Sequence, residues 1–88
     1  MKDFDQQLKK YEALIKEEQG IRIKLYDASM EENPIETTNI LNKYCDVIKS
    51  VIEVCNYLLE DPESDIDKQI EINGVRNRAE TLLEVLER

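Results

Sequence analysis

The chain has 88 residues, of which 20 are acidic and 12 are basic, so its formal charge is −8, and it contains no histidine. This length supports one small domain with a thin core, and the missing histidine excludes Ser-His-Asp and Cys-His catalytic groups. The acidic balance disfavours nucleic acid and anionic membranes as direct partners, and it favours attraction to a basic protein surface.

The first predicted element covers residues 3–32. Its apolar residues begin at the spacing of a single helix face: Phe4, Leu8, Tyr11 and Ile15. The pattern changes phase at Gly20, and residues 21–26 alternate between apolar and polar side chains in the manner of a strand. We expect one helix with an irregularity near Gly20, and a short strand over 21–26 is the alternative.

The second predicted element covers residues 34–60 and carries the strongest helical pattern. Asn33 is a candidate N-cap, and Pro34 fits the first helical position. Two overlapping apolar stripes follow in steps of three and four: Ile40, Leu41, Tyr44, Val47, Ile48, Val51, Val54, Cys55 and Leu58. Overlapping stripes give a wide apolar face, so this helix is expected to pack between the other two elements.

The third predicted element covers residues 62–88, with Asp61 as the candidate N-cap ahead of a proline. One stripe in it has helical spacing: Val75, Ala79, Leu82 and Leu86. Ile66 and Ile70 fall on the opposite side of an ideal helix, and the Asn-Gly pair ending at Gly74 is a common turn signal. We therefore expect an irregularity near Gly74.

Three elements of similar length predict an all-α fold, a single domain built as an up-down-up three-helix bundle. The minority alternative is an α+β fold in which short strands over 21–26 and 68–73 pair beside the middle helix. An isolated two-stranded sheet is weak in water, which favours the bundle. Cys45 and Cys55 are about 15 Å apart along one helix, so they cannot form a disulfide with each other.

An acidic run follows the second element: Glu60, Asp61, Glu63, Asp65 and Asp67. Its oxygens recur at alternate positions, as in a calcium loop. Such a loop also needs glycine at its sixth position and glutamate at its twelfth, where this chain has Ile66 and Ile72. We predict no metal site, no cofactor and no catalytic residue, and we interpret the acids as a solvated helix start or as a site for a basic partner.

Some apolar side chains exceed what a thin core can bury. The candidates for exposure are Ile15, Ile23, Tyr26, Met30 and Tyr57. All of them except Ile15 join the five acids of the run as candidate partner-binding residues. An exposed apolar group marks an interface, or it is a set of scattered surface residues that needs no explanation.

The residues predict a small, acidic, non-enzymatic protein-binding or regulatory module that acts through its outer helical faces. A protein partner with a basic surface is expected, and a second copy of the chain is a further candidate. The alternative is an acidic inhibitor that imitates the charge of nucleic acid and blocks a nucleic-acid-binding protein, as in viral counter-defence. No apolar run is long enough to span a membrane, and the first residues do not resemble a signal peptide, so a cytoplasmic location is expected.

Overall fold

The computed structural model of the protein describes residues 2–61 and 65–87, and three helices account for almost all of them. Helix α1 spans Lys2–Met30, helix α2 spans Pro34–Glu60 and helix α3 spans Ile66–Leu86. No strand occurs within the two described ranges. The predicted all-α three-helix bundle is therefore confirmed.

Helices α1 and α3, whose sequence patterns change phase at a glycine, are each continuous. Residues 21–26 lie inside α1 and residues 68–73 lie inside α3, so the strand alternative is wrong. Gly20 and Gly74 are also helical, and a Cβ added at either position would meet no neighbouring atom within 4 Å. Neither glycine is required by close packing. Helix propagation is cooperative, so each helix extends through its glycine at a cost of about 1 kcal/mol.

Helix α2 begins and ends where the sequence predicts. The side chain of Asn33 accepts a hydrogen bond from the backbone N–H of Glu36 at 3.1 Å, and its amide nitrogen donates to Glu36 Oε2 at 3.4 Å. Pro34 opens the helix, where its missing N–H costs no hydrogen bond. The cap thus satisfies one of the backbone donors that every helix start leaves unpaired.

Helix α3 begins later than the sequence predicts. Its N-cap is Asp65, whose carboxylate accepts a hydrogen bond from the backbone N–H of Lys68 at 2.7 Å. The predicted N-cap, Asp61, is instead the C-cap of α2, and its backbone N–H donates to the carbonyl of Leu58 at 3.2 Å. Residues 62–64 lie outside the described part of the chain. The prediction failed because this segment offers two aspartates that are equally good caps by residue type.

The turn between α1 and α2 holds one residue in the left-handed conformation. Glu32 has a φ of 57°, which is the only positive value among the described non-glycine residues. The N–H of Asn33 donates to the carbonyl of Ala28 at 3.3 Å, and the N–H of Glu32 donates to that of Ser29 at 3.2 Å. These two bonds define a Schellman motif, in which glycine usually takes the left-handed position.

Replacing Glu32 by glycine is expected to raise the free energy of unfolding by about 1 kcal/mol, because glycine adopts a positive φ without steric cost. The midpoint of thermal unfolding, followed by circular dichroism at fixed protein concentration, should rise by about 4–8 °C. Glu31→Gly is the matched control, since it removes the same charge from a neighbour without a positive φ. An equal rise in both variants would show that charge, and not backbone strain, is responsible.

Helix α2 is the central element of the bundle. Helices α1 and α3 each pack against it, and among the described residues no Cα of α1 lies within 8 Å of a Cα of α3. The buried residues of α2 belong to the predicted stripes: Tyr44, Val47, Ile48, Val51, Val54, Cys55 and Leu58. The outer helices add a smaller set: Tyr11, Ile21, Ala28, Ile72 and Ala79. The prediction that the middle helix packs between two neighbours is confirmed.

Helix α3 is the shortest of the three, with 21 residues against 29 in α1 and 27 in α2. An ion pair of 3.2 Å joins Glu87, just beyond α3, to Lys49 in the middle of α2. The described end of α3 therefore lies beside the middle of α2, and the turn between α1 and α2 projects past it. We name this projecting part, residues 23–41, the hairpin tip. The molecule is elongated, with extents of 46 × 23 × 17 Å.

Candidate binding groove

An open groove runs between α1 and α3 along one side of α2, and its volume is about 890 Å³. Its floor belongs to α2 and consists of Tyr44, Ile48 and Val51. Its walls come from the two outer helices and include Tyr11, Ile15, Glu18, Gln19, Arg22, Glu71, Val75, Arg78, Leu82 and Val85. The groove exists because the outer helices pack on α2 without approaching each other.

One hydrogen bond joins the two walls of the groove. Tyr11 Oη of α1 donates to Glu71 Oε2 of α3 at 3.1 Å. Only 4% of Tyr11 is exposed, and a buried tyrosine hydroxyl needs a polar partner. Because the backbones of α1 and α3 stay apart, this side-chain bond is what ties the outer helices together at that point.

A second tyrosine binds a carboxylate where the floor meets the α1 wall. Tyr44 Oη donates to Glu18 Oε2 at 2.6 Å, a length typical of a charge-assisted bond. The Nε of Arg22 lies 3.5 Å from the same carboxylate oxygen, and the side chains of Glu18 and Arg22 are 16% and 61% exposed. A chain of tyrosine, carboxylate and guanidinium therefore runs from the α2 floor to the α1 wall, and its outer member is exposed to solvent.

Both groove tyrosines are held in the protonated form. Burial first, and then the hydrogen bond and the charge of the adjacent glutamate, raise the pKa of Tyr11 and of Tyr44 well above the ordinary value of 10. At neutral pH these hydroxyls donate hydrogen bonds and do not act as bases. What they do is hold Glu18 and Glu71 in fixed positions beside an apolar floor.

The predicted acidic run lies at the connection between α2 and α3. Asp61 is the C-cap of α2, and Asp65 is the N-cap of α3. Glu60 and Asp67 are exposed, and Glu63 lies outside the described residues. The interpretation as a helix start fits Asp65, whose carboxylate binds the backbone of α3. A role of the run in partner binding stays a prediction.

The four predicted apolar candidates are exposed, as expected. Ile23 is 62% exposed, Tyr26 65%, Met30 68% and Tyr57 42%. The first three lie on the hairpin tip, whereas Tyr57 lies near the other end of α2, so the structure divides the predicted site into two separate groups. Ile15 was expected at the surface as well, but it is half-buried and packs against the core. The role of the exposed four in binding stays a prediction.

Sequence reasoning missed the groove. It assigned Tyr11 and Tyr44 to apolar stripes and sought no partner for their hydroxyls. The signal that could have found it is the need of a buried tyrosine for a polar partner on a neighbouring helix. Four further exposed apolar residues were also missed, and they are Ile35, Ile66, Ile70 and Val85. Of these, only Val85 lines the groove.

Few other features of the described residues suggest chemistry. Within the described ranges, no group of three or more Cys, Asp or Glu side chains is placed to hold a metal ion. Cys55 is buried and Cys45 is half-buried, and both are free thiols. In the same part of the chain, no helix offers an apolar segment of the length that a bilayer crossing requires. Comparisons of the chain with protein-family models, curated proteins and solved structures gave no match.

Proposed function

We propose that the protein is a non-enzymatic binding module that holds an amphipathic helix of another protein in the groove between α1 and α3. The observation that supports this is the groove itself, which stays open because, in the described part of the chain, the backbones of the outer helices approach α2 and not each other. Three helices in this arrangement resemble a four-helix bundle with one member absent. A helix from a partner would take that fourth position.

The apolar walls are the surface that such a partner would cover. Ile15 of α1 and Val75 and Leu82 of α3 are half-buried, and Val85 is 55% exposed. The floor residues beneath them are already buried, so the free energy gained on binding depends on the apolar side chains of the walls. A helix with apolar residues every three or four positions would place one row of side chains between them.

Charges of both signs border the groove. Glu18 and Glu71 accept the tyrosine hydrogen bonds, whereas Arg22 and Arg78 are exposed. Fixed charges at known positions would set the direction and register of a bound helix. The net charge of −8 would speed the approach of a basic segment. We therefore expect an apolar stripe with basic flanks on the partner.

The acidic-inhibitor alternative rests on the net charge of −8. Within the acidic run, Asp65 uses its carboxylate to cap α3 and is not free to imitate a phosphate. A salt series separates the two hypotheses, because a charge mimic loses affinity steeply with ionic strength while an apolar contact does not. Both hypotheses assign a protein partner in the cytoplasm, where the free thiols of Cys45 and Cys55 would stay reduced.

Two lysine substitutions on α3 test the groove. Val85 lines it and is 55% exposed, whereas Ile70 is 67% exposed and does not line it. Val85→Lys is expected to lower the amount of partner captured from a lysate by about tenfold or more, because an ammonium group would face the apolar stripe of the bound helix. Ile70→Lys changes the charge equally and should leave capture unchanged.

Mass spectrometry would identify and quantify the captured proteins, and circular dichroism would verify that both variants keep their helical content. Equal capture by the two variants would show that the groove is not the binding site. Equal loss in both would show that charge alone reduces binding. A wild-type chain that retains nothing above an unrelated acidic protein would contradict the proposed function altogether.

A further inference from the structure

We infer that Arg78 determines which helix binds in the groove, by pairing with an acidic side chain in the middle of that helix's apolar stripe. This inference rests on the proposed function and deepens it, because it names the chemistry of one contact between the groove and its partner. It is supported by the position of Arg78 in the α3 wall, by the partners that the other groove charges already have, and by the cost of covering an unpaired charge.

The groove-facing residues of α3 form a row with heptad spacing. They recur in steps of four and three, and all of them line the groove: Glu71, Val75, Arg78, Leu82 and Val85. Arg78 lies in the middle of this row, about 10 Å along the helix from Glu71 at one end and from Val85 at the other. A partner helix that packs against the row would therefore place its own stripe directly over Arg78.

The α1 wall presents a row with the same spacing. Its groove-lining members recur in steps of four, three and four: Tyr11, Ile15, Glu18 and Arg22. Two such rows beside an open fourth position are the surface that a four-helix bundle offers to its remaining member. The occupant of stated chemistry is thus a helix, and it meets one row of side chains from each wall.

The other charged residues that line the groove have partners within the chain. Glu18 lies 3.5 Å from the Nε of Arg22. Glu71 accepts the tyrosine hydrogen bond across the groove, and its second oxygen lies 3.8 Å from the Nζ of Lys68. Among the described residues, the side chain of Arg78 has neither an ion pair nor a hydrogen bond. Its guanidinium is therefore available to a partner.

The guanidinium of Arg78 lies on the groove side of α3. Burial raises the pKa of Tyr11, whereas the charge of Arg78 acts in the opposite direction. The guanidinium is therefore within electrostatic reach of Tyr11 Oη, which belongs to the opposite wall. A charge in this position points toward the space that the bound helix would occupy.

Covering this charge decides which helices fit. An entirely apolar stripe would remove water from the guanidinium without supplying an opposite charge, and this disfavours binding. An aspartate or glutamate at the facing position would accept two hydrogen bonds from the guanidinium. One charged position in an apolar seam also fixes the register of the helices that share it. The basic flanks expected of the partner lie outside the stripe and are compatible with this acid.

Labelled synthetic helices test the inference on the full chain. The probe is an amphipathic peptide of about three heptads, with leucine along its stripe, lysine on its flanks, and glutamate, glutamine or lysine at the central stripe position. Fluorescence anisotropy at physiological salt, with the peptide at nanomolar concentration, would give three dissociation constants. The wild type is expected to bind the glutamate peptide about tenfold or more tightly than the lysine peptide, because only the former pairs with Arg78.

Reversing the charge at position 78 should reverse this preference. Arg78→Glu is expected to bind the lysine peptide more tightly than the glutamate peptide. Lys24→Glu is the matched control, because it changes the net charge equally at an exposed residue that does not line the groove, and it should keep the wild-type order. Circular dichroism would verify the helical content of both variants, and the comparison on the wild type needs no variant. Equal affinities of the wild type for the glutamate and lysine peptides, an unchanged order in Arg78→Glu, or the same reversal in the control would each overturn the inference.

The groove variant Val85→Lys separates this inference from the proposed function. It should weaken the binding of all three peptides, whereas Arg78→Glu should change only their order. A wild type that binds no peptide, or a Val85→Lys variant that binds all three as the wild type does, would contradict the proposed function and the inference together. Three equal affinities that Val85→Lys weakens would overturn the inference alone.

Discussion

Replacing Leu58 by alanine is expected to lower the free energy of unfolding by about 3 kcal/mol. Leu58 is fully buried, with 0% of its surface exposed, and it lies on the face of α2 that packs against the other helices. Truncation would leave a cavity, because the surrounding side chains relax only partly into the vacated space. A chain of this length has a total stability of roughly 4–13 kcal/mol, so the loss is a large fraction of it.

Urea unfolding followed by circular dichroism would measure this loss, at one fixed protein concentration. Leu59→Ala is the matched control, because it removes the same atoms from the next residue, which is only half-buried. The control should lose about 1 kcal/mol. Equal losses at the two positions would show that the buried face of α2 is not where the structure places it.

Raising the pH above about 9 is expected to lower the stability steeply. Burial raises the pKa of the Cys55 thiol from 9.0 to about 11, and burial with the adjacent glutamates raises those of Tyr11 and Tyr44 above 10. The unfolded chain therefore releases these protons at a lower pH than the folded chain does. Each group contributes its full share to the free energy of unfolding below the pKa that it has in the unfolded chain. This share is lost as the pH rises toward the pKa that the group has in the folded chain.

Each proton that the folded chain retains lowers the free energy of unfolding by about 1.4 kcal/mol per pH unit, so Cys55 alone would remove about 2–3 kcal/mol by pH 11, and the two tyrosines would add to that loss. Urea unfolding in the presence of reductant, repeated between about pH 8 and pH 11, would measure the decline. The double variant Tyr11→Phe/Tyr44→Phe should decline less steeply above pH 10. Tyr26→Phe/Tyr57→Phe is the control, since both side chains are exposed, and it should keep the wild-type slope. Identical slopes in the two double variants would contradict the role of the buried phenols.

The sequence predicted α2 well because its signals are local. A cap at Asn33, a proline beside it and a wide apolar face all indicate the same helix, and the structure has it at those bounds. The outer helices were harder to predict, because Gly20 and Gly74 weaken the local pattern while packing on α2 maintains the helix. Tertiary contacts here outweigh a strand-like alternation over residues 21–26.

The groove could not be predicted, because it depends on a distance between two elements that are far apart in the sequence. Tyr11 and Glu71 are 60 positions apart and meet across it. Nothing in the spacing of either helix states how far α1 and α3 stand from each other. The exposure of Ile23, Tyr26 and Met30 was predictable from surplus apolar residues alone. Their position beyond the end of α3 depends on where that helix begins, which the sequence did not show.

The central place of α2 has a consequence for how the molecule opens. Among the described residues, the backbone of α1 approaches that of α2 and not that of α3, so detachment of α3 would break the bond between Tyr11 and Glu71 and leave the α1–α2 packing in place. The α1–α2 pair can therefore stay folded when α3 detaches. Local unfolding of α3 is expected to require less free energy than any other partial unfolding of the molecule. Unfolding of α2, by contrast, disrupts the α1–α2 and α2–α3 interfaces together.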